Sequence, residues 1–147
     1  MIEEIINYKG CFVCGEKNPF GLRLNFYFDK ERQKAWTEFI PEPHFEGYRQ
    51  ILHGGIISAV LDEVMIKAIL FENILAVTSK LIIEFKQPAA IGEKLLIEGW
   101  ITGRRGKVFF TEGQLLGNER RLIASGSGIY IRAEGELAER LKMSQLK

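Results

Sequence analysis

A chain of 147 residues fits one domain with a real core. Apolar residues make up 46% and charged residues 27%, which is ordinary for a globular protein. Lys plus Arg total 20 against 19 Asp plus Glu, which leaves no electrostatic footprint for nucleic acid or a membrane surface. The ten Phe therefore read as core rather than as stacking platforms for bases.

In chain order, Met1-Ile2-Glu3-Glu4 is acidic and not a signal peptide, so the expected location is the cytoplasm. Ile2–Tyr8 is expected as a short helix. Cys11-Phe-Val-Cys14 is half of a zinc-ribbon signature; the second half is missing, and the histidines are His44 and His53. The turn Asn18-Pro19-Phe20-Gly21 follows where a redox motif would want a helix. Reduced structural thiols with no metal are the expectation, and metal or redox chemistry is the alternative. Leu22, Leu24, Phe26 and Phe28 alternate with polar or amphipathic residues, which predicts a half-buried strand. Ala35–Ile40 reads as its return, stopped by Pro41 and Pro43. Pro41–Leu52 is a loop.

Gly54–Phe71 is the one long helix. Its apolar positions cover most of its circumference, so it is buried nearly all round. It carries Asp62, Glu63 and Lys67 and is no membrane span. No capping side chain is expected before it. Strands follow over Ala76–Phe85, Lys94–Thr102, Lys107–Leu116 and Arg121–Arg132, with Gly103–Gly106 as a hairpin turn. Glu134–Met143 is a charged terminal helix. Two strands, one buried helix and four strands joined by short turns give an α+β fold. An antiparallel sheet of about six strands wraps around the central helix, which is the hotdog arrangement. The absence of β-α-β-α alternation excludes a doubly wound fold. The whole chain, 1–147, is one domain, with residues 1–21 as an N-terminal extension and 134–147 as a tail.

Asp62 sits mid-helix in a buried setting, and a buried carboxylate is costly unless paired. Ser58 and Ile66 are its neighbours at four spacings, so no cation supports it. Glu63, by contrast, has Lys67 at i+4 and reads as a solvated ion pair. Asp62 is therefore the candidate for chemistry. His53-Gly54-Gly55 stands at the helix start, where free N–H groups and the dipole favour negative charge. Glycine lets a ligand approach that backbone, and a thioester carbonyl becoming an oxyanion suits it. A Gly-rich turn before a helix is the plainer alternative. Gly54 and Asp62 are eight residues apart, about 12 Å along a helix. Catalytic groups lie roughly 3 Å from the reacting atoms. If both act on one carbonyl, two antiparallel helices must contribute, which implies a homodimer with two equivalent sites.

The run Phe45-Glu46-Gly47-Tyr48, His53-Gly54-Gly55 and Leu61-Asp62-Glu63 resembles the phenylacetate-degradation-type branch of the hotdog acyl-CoA thioesterases. The Cys11–Leu22 segment and Gln87-Pro88-Ala89-Ala90 with Gly92-Glu93 are also similar to members of that family. The resemblance implies an acyl-CoA substrate, no cofactor, and hydrolysis to free acid and CoA. It implies Asp62 as general base or nucleophile, Gly54 N–H polarising the thioester oxygen, and His53 shaping the helix start. Thr78 resembles a hydroxyl residue that helps hold the attacking water, with an ordinary strand threonine as the alternative. Some relatives have Asn where this chain has Gly47; Asn18 or Gln50 could substitute. Gly55 is expected to bind substrate too. Arg104, Arg105 and Lys107 form a basic turn that could meet the CoA phosphates, although a solvated hairpin tip is favoured. Phe45, Tyr48 and Phe20 are loop aromatics that could line the acyl pocket.

The other readings are a non-catalytic acyl-CoA binding or sensing module, a dehydratase and a purely structural dimer. The dehydratase is disfavoured because no His follows Asp62. Acyl group, CoA against acyl-carrier protein, and dimer against homotetramer stay open.

Overall fold

The computed structural model describes residues 1–145. Its elements in order are β1 (Ile2–Ile5), β2 (Phe26–Asp29), β3 (Lys34–Phe39), α1 (Gly54–Leu70), β4 (Ala76–Phe85), β5 (Leu95–Arg105), β6 (Val108–Leu116), β7 (Leu122–Arg132) and α2 (Gly135–Met143). The strands form one antiparallel sheet in the order β1-β2-β3-β5-β6-β7-β4. The sheet curls around α1, which packs against β3 to β7. The α+β arrangement expected from the sequence is therefore present, with seven strands rather than about six.

The extra strand is β1, where a short helix was expected. Helices this short are marginal in water. Here the exposed edge of β2 supplies backbone partners, from Ile2 opposite Asp29 to Ile5 opposite Phe26. Ile5 turns into the core while Glu3 and Glu4 face solvent, which keeps this edge charged. The strand expected from Leu22 begins only at Phe26. Arg23 adopts a left-handed φ of 55° that breaks extension, and Leu22 and Leu24 bond back to Phe12 and Val13 instead. Between β5 and β6 the turn is Gly106-Lys107, not Gly103–Gly106. An extra residue at Thr102 makes a bulge, and Gly103–Arg105 go on pairing with Val108–Phe110. The tail forms α2; its last two positions, 146 and 147, lie outside the described residues.

Why α1 lies so deep is written in the sheet beneath it. Gly99, Gly113 and Gly126 are mutual cross-strand partners on β5, β6 and β7. A Cβ on Gly99 would fall 2.9 Å from the Val64 carbonyl oxygen and 3.0 Å from the Met65 nitrogen. One on Gly113 would fall 3.2 Å from the Met65 side chain. The bare stripe lets the helix backbone approach the sheet closely. Val60, Leu61, Val64, Met65 and Ile69 are fully buried there. Among the described residues no helix is long and apolar enough to cross a membrane.

Candidate active site

Asp62 lies on α1 where the helix passes the end of the β4–β7 pair. Thr78 of β4 is the direct cross-strand partner of Tyr130 of β7. Residues opposite one another in a sheet point to the same face. Here both point at Asp62: the Thr78 hydroxyl donates to Oδ1 at 2.9 Å, and the Tyr130 hydroxyl donates to the same oxygen at 2.8 Å. Immediately after Thr78 the register slips by one residue, so Ser79 is a bulge that interrupts regular pairing beside the site. Among the described residues no protein donor reaches Oδ2. One carboxylate oxygen is thus fixed and the other is free for a guest.

Tyr130 is fully buried. Burial, and then the charge of Asp62, push its phenol well above the usual tyrosine range, so it stays a neutral donor. Sequence reasoning missed this residue. The signal was Gly128, two positions earlier on the same face. A Cβ there would fall 2.6 Å from the Tyr130 ring, so only glycine lets the ring fold back along the strand toward Asp62.

The helix start is pinned by the preceding loop. His53 N–H bonds to the Phe45 carbonyl and Leu52 N–H to that of Ala89. A capping side chain is present after all: His53 Nδ1 accepts the Gly55 N–H at 2.8 Å. The imidazole thus fills the role for which the sequence offered no Ser, Thr, Asp or Asn. The cap consumes the Gly55 donor and leaves the Gly54 N–H without a hydrogen-bond partner among the described residues. Gly47 packs against His53; a Cβ there would fall 3.2 Å from its Cα, so a larger residue would press on the cap.

Other candidates lie apart from this pair. Both ends of the Asn18 side chain are occupied within its own loop, by the Gly10 carbonyl and the Phe20 N–H. That loop carries Phe12 and Phe20 to one wall of a cleft of about 550 Å³, with Phe45, His53, Gly55 and Ile56 opposite. Tyr48 points into solvent at 84% exposure and is not part of this cleft's lining. Gln50 sits on the surface at a left-handed φ of 60°. In the basic segment, Arg104 pairs with Glu72 at 3.3 Å and Lys107 with Glu134 at 3.6 Å. Arg105 is exposed and has no ion-pair partner among the described residues.

The pair Glu63–Lys67 is not solvated, contrary to expectation. The N-terminal segment folds over that face of α1 and buries Lys67 completely. Its ammonium donates to the Ile6 carbonyl and to Asn7 Oδ1, and lies 3.9 Å from Glu63 Oε2. Burial, then the nearby Cys11, push the Glu63 carboxyl up to about 7 despite Lys67.

A family model for the thioesterase superfamily matches residues 49–124. No curated protein matches the chain. Among solved structures, a thioesterase superfamily protein aligns with a TM-score of 0.79 at 18% identity, over 88% of this chain. The chain spans 66% of that protein's length. The E. coli PaaI protein of the phenylacetic acid degradation operon aligns at 0.66 and 18%, over 70% of this chain and 75% of its own. A hypothetical thioesterase of Streptococcus pneumoniae, solved with coenzyme A, aligns at 0.66 and 13%, over 68% and 81%. That protein has also been solved with an aspartate and, separately, a threonine replaced by alanine, 16 positions apart.

Proposed function

The chain belongs to the thioesterase superfamily, and within it we propose that it hydrolyses an acyl-CoA thioester to the free acid and CoA, with Asp62 as its catalytic carboxylate. The observation that carries this is the mid-helix Asp62 with Oδ1 fixed by Thr78 and Tyr130 and Oδ2 open. A carboxylate so held can accept a proton from water or attack the thioester carbon itself. Asp62 and Thr78 are 16 positions apart, the same separation as the substituted aspartate and threonine of the streptococcal protein, which supports the pairing. The likeness to the E. coli protein supports the phenylacetate-degradation-type branch.

The electrophilic half comes from a second copy. Gly54 N–H is an unused donor at the positive end of α1 and polarises the thioester oxygen. Within one chain it is eight residues from Asp62, about 12 Å. The edge strand supplies the remedy. β4 ends the sheet, so one side of its backbone pairs with no strand among the described residues, and it exposes Ile82 and Phe85 at 50% and 55%. Phe85 lies against Gly54, with ring carbon Cε1 3.4 Å from a Cβ built on that glycine. Thr78, seven residues earlier, holds Asp62. Antiparallel pairing of β4 with its copy about a two-fold axis at Ile82 keeps inward residues opposite inward ones, and the bulge at Ser79 then lets Thr78 face the partner's Phe85. The partner's Gly54 then sits beside Asp62, and the symmetric site forms at the other end.

Thiol release from a panel of acyl-CoAs tests this on wild type and Asp62→Asn in parallel. The expected loss in kcat is about 10²–10⁴-fold, the usual worth of a positioned acid or base. Near-wild-type turnover in the variant would remove Asp62 from the mechanism. Tight acyl-CoA binding with no thiol release by wild type would leave a binding module.

A further inference from the structure

The N-terminal segment and α1 meet at a second cluster, which takes in Glu63, the residue after Asp62. Cys11, Cys14 and Glu63 bring two sulfurs and a carboxylate oxygen within 4.8 Å of one another. Cys11 Sγ and Glu63 Oε2 are 3.7 Å apart. Thiolates bound at about 2.3 Å to a tetrahedral zinc ion stand roughly 3.8 Å apart, so small side-chain rotations close this cluster on an ion. Both cysteines are free thiols.

The loop is shaped to hold thiolates. Val13 and Cys14 N–H groups donate to Cys11 Sγ at 3.3 and 3.5 Å, and the Tyr8 N–H donates to Cys14 Sγ at 3.4 Å. Backbone donors aimed at sulfur disperse the charge of a ligating thiolate and fix its direction. Gly15 closes the turn where no side chain fits: a Cβ would fall 2.4 Å from the Lys9 carbonyl oxygen and 2.5 Å from the Cys11 nitrogen. The charges also sum correctly. Two thiolates and a carboxylate around a divalent ion carry one net negative charge, and the buried Lys67 ammonium 3.9 Å from Glu63 cancels it. Cys11 and Glu63 line a cavity of about 420 Å³, bordered by Tyr8, Ile66 and Leu70, which gives an ion a route in and a fourth position for water.

We propose that Cys11, Cys14 and Glu63 bind a divalent zinc-type ion that clips the N-terminal segment to α1. Two thiolates and one carboxylate with tetrahedral spacing select zinc over magnesium or calcium. On binding, the thiol protons leave to solvent. Sequence spacing shows only the Cys-x-x-Cys half; the third ligand is 49 positions beyond Cys14 and is brought in by the fold. Thr78 lines the same cavity, so the two sites are neighbours, but metal uptake is read without any thioester turnover.

The test uses the full chain, reduced, stripped with a chelator and titrated with Co²⁺ and then Zn²⁺. The expected result is thiolate-to-cobalt charge-transfer absorption that saturates at one ion per chain and is bleached by zinc. Zinc also shields both thiols from alkylation and raises Tm. Cys11→Ser and Glu63→Gln each weaken zinc binding by about 100-fold or more, the loss expected for one ligand. The wild-type spectrum decides the matter even where a variant fails to fold. Absence of charge-transfer absorption, with alkylation unchanged by zinc, would overturn the site. Mild oxidation that removes two hydrogens per chain from a protein that takes up no metal would overturn it too, and would mark a redox pair instead.

Discussion

If the site is shared between two copies, two dead variants should rescue each other. Asp62→Ala removes the carboxylate and leaves Gly54 intact. Gly54→Pro removes the N–H and leaves Asp62 intact. Proline is suited to this position. Gly54 is the first helical residue, its N–H bonds to nothing among the described residues, and His53 before it has φ −60° and ψ 133°, the extended conformation that a following proline demands. The His53 cap on Gly55 is untouched. Alone, Asp62→Ala loses about 10²–10⁴ in kcat and Gly54→Pro, as the loss of an oxyanion donor, about 10²–10³. In a heterodimer, one site joins intact Gly54 to intact Asp62 and the other joins both lesions. Its activity per dimer is therefore about half that of wild type, far above either parent. Co-expression with two affinity tags and tandem purification isolates that species, and thiol release from one acyl-CoA measures it. A purified heterodimer no more active than its parents would refute the shared site, because one-chain sites always pair each lesion with its own intact half.

Three further outcomes follow from particular contacts. Tyr130→Phe deletes one of the two donors on Asp62 Oδ1, a hydrogen bond to a charged group worth about 1.5–3 kcal/mol. Steady-state kinetics should show kcat down by about 10–100-fold with the circular dichroism spectrum kept, and an unchanged kcat would make Tyr130 a packing residue only. Gly99→Ala places a methyl 2.9 Å from the α1 backbone, and denaturant unfolding should show a loss of about 1–3 kcal/mol, the usual cost of overpacking. A wild-type midpoint in that variant would mean that the helix shifts freely. Glu98 is buried on β5. Burial alone would raise its carboxyl, but hydrogen bonds from Gln114 and Arg32 outweigh that and hold it below the usual range. A depressed folded value stabilises above the unfolded pKa of about 4.3 and is lost as pH falls through the folded value. Glu98→Gln should therefore flatten the acid limb of stability against pH, and an equally steep limb would place the acid sensitivity elsewhere.

How legible the fold was depended on whether a signal was local. The α1 helix and β4 stand within a residue of their expected bounds, because a long apolar run and a proline-flanked strand announce themselves without tertiary help. β1 was not legible: Ile-Glu-Glu-Ile has no alternation, and only the open edge of β2 makes it a strand. Lys67 and Glu63 have i,i+4 spacing in any sequence, and spacing cannot say that residues 6–15 will roof them. At the candidate site, Asp62 was conspicuous because an acid stood in an apolar helix. Tyr130 was not, since a tyrosine among small residues on a strand looks like ordinary packing until its hydroxyl is seen to face Asp62.

The site and the core share one cause. α1 reaches the sheet only because Gly99, Gly113 and Gly126 leave a bare stripe under Val64 and Met65. Those residues lie within one turn of Asp62, so the depth of the helix there sets how near its carboxylate comes to Thr78 and Tyr130. The strand that carries Tyr130 carries Gly126 as well, and Gly128 between them clears the path for the ring. A carboxylate in a helix interior is expensive without partners, and here the partners are reachable only by a helix that lies this close. The glycines that a reading for chemistry passes over are thus part of what positions the acid. Residues such as Gly99, which touch no substrate, belong to the geometry of Asp62 as much as the hydroxyls that bond to it do.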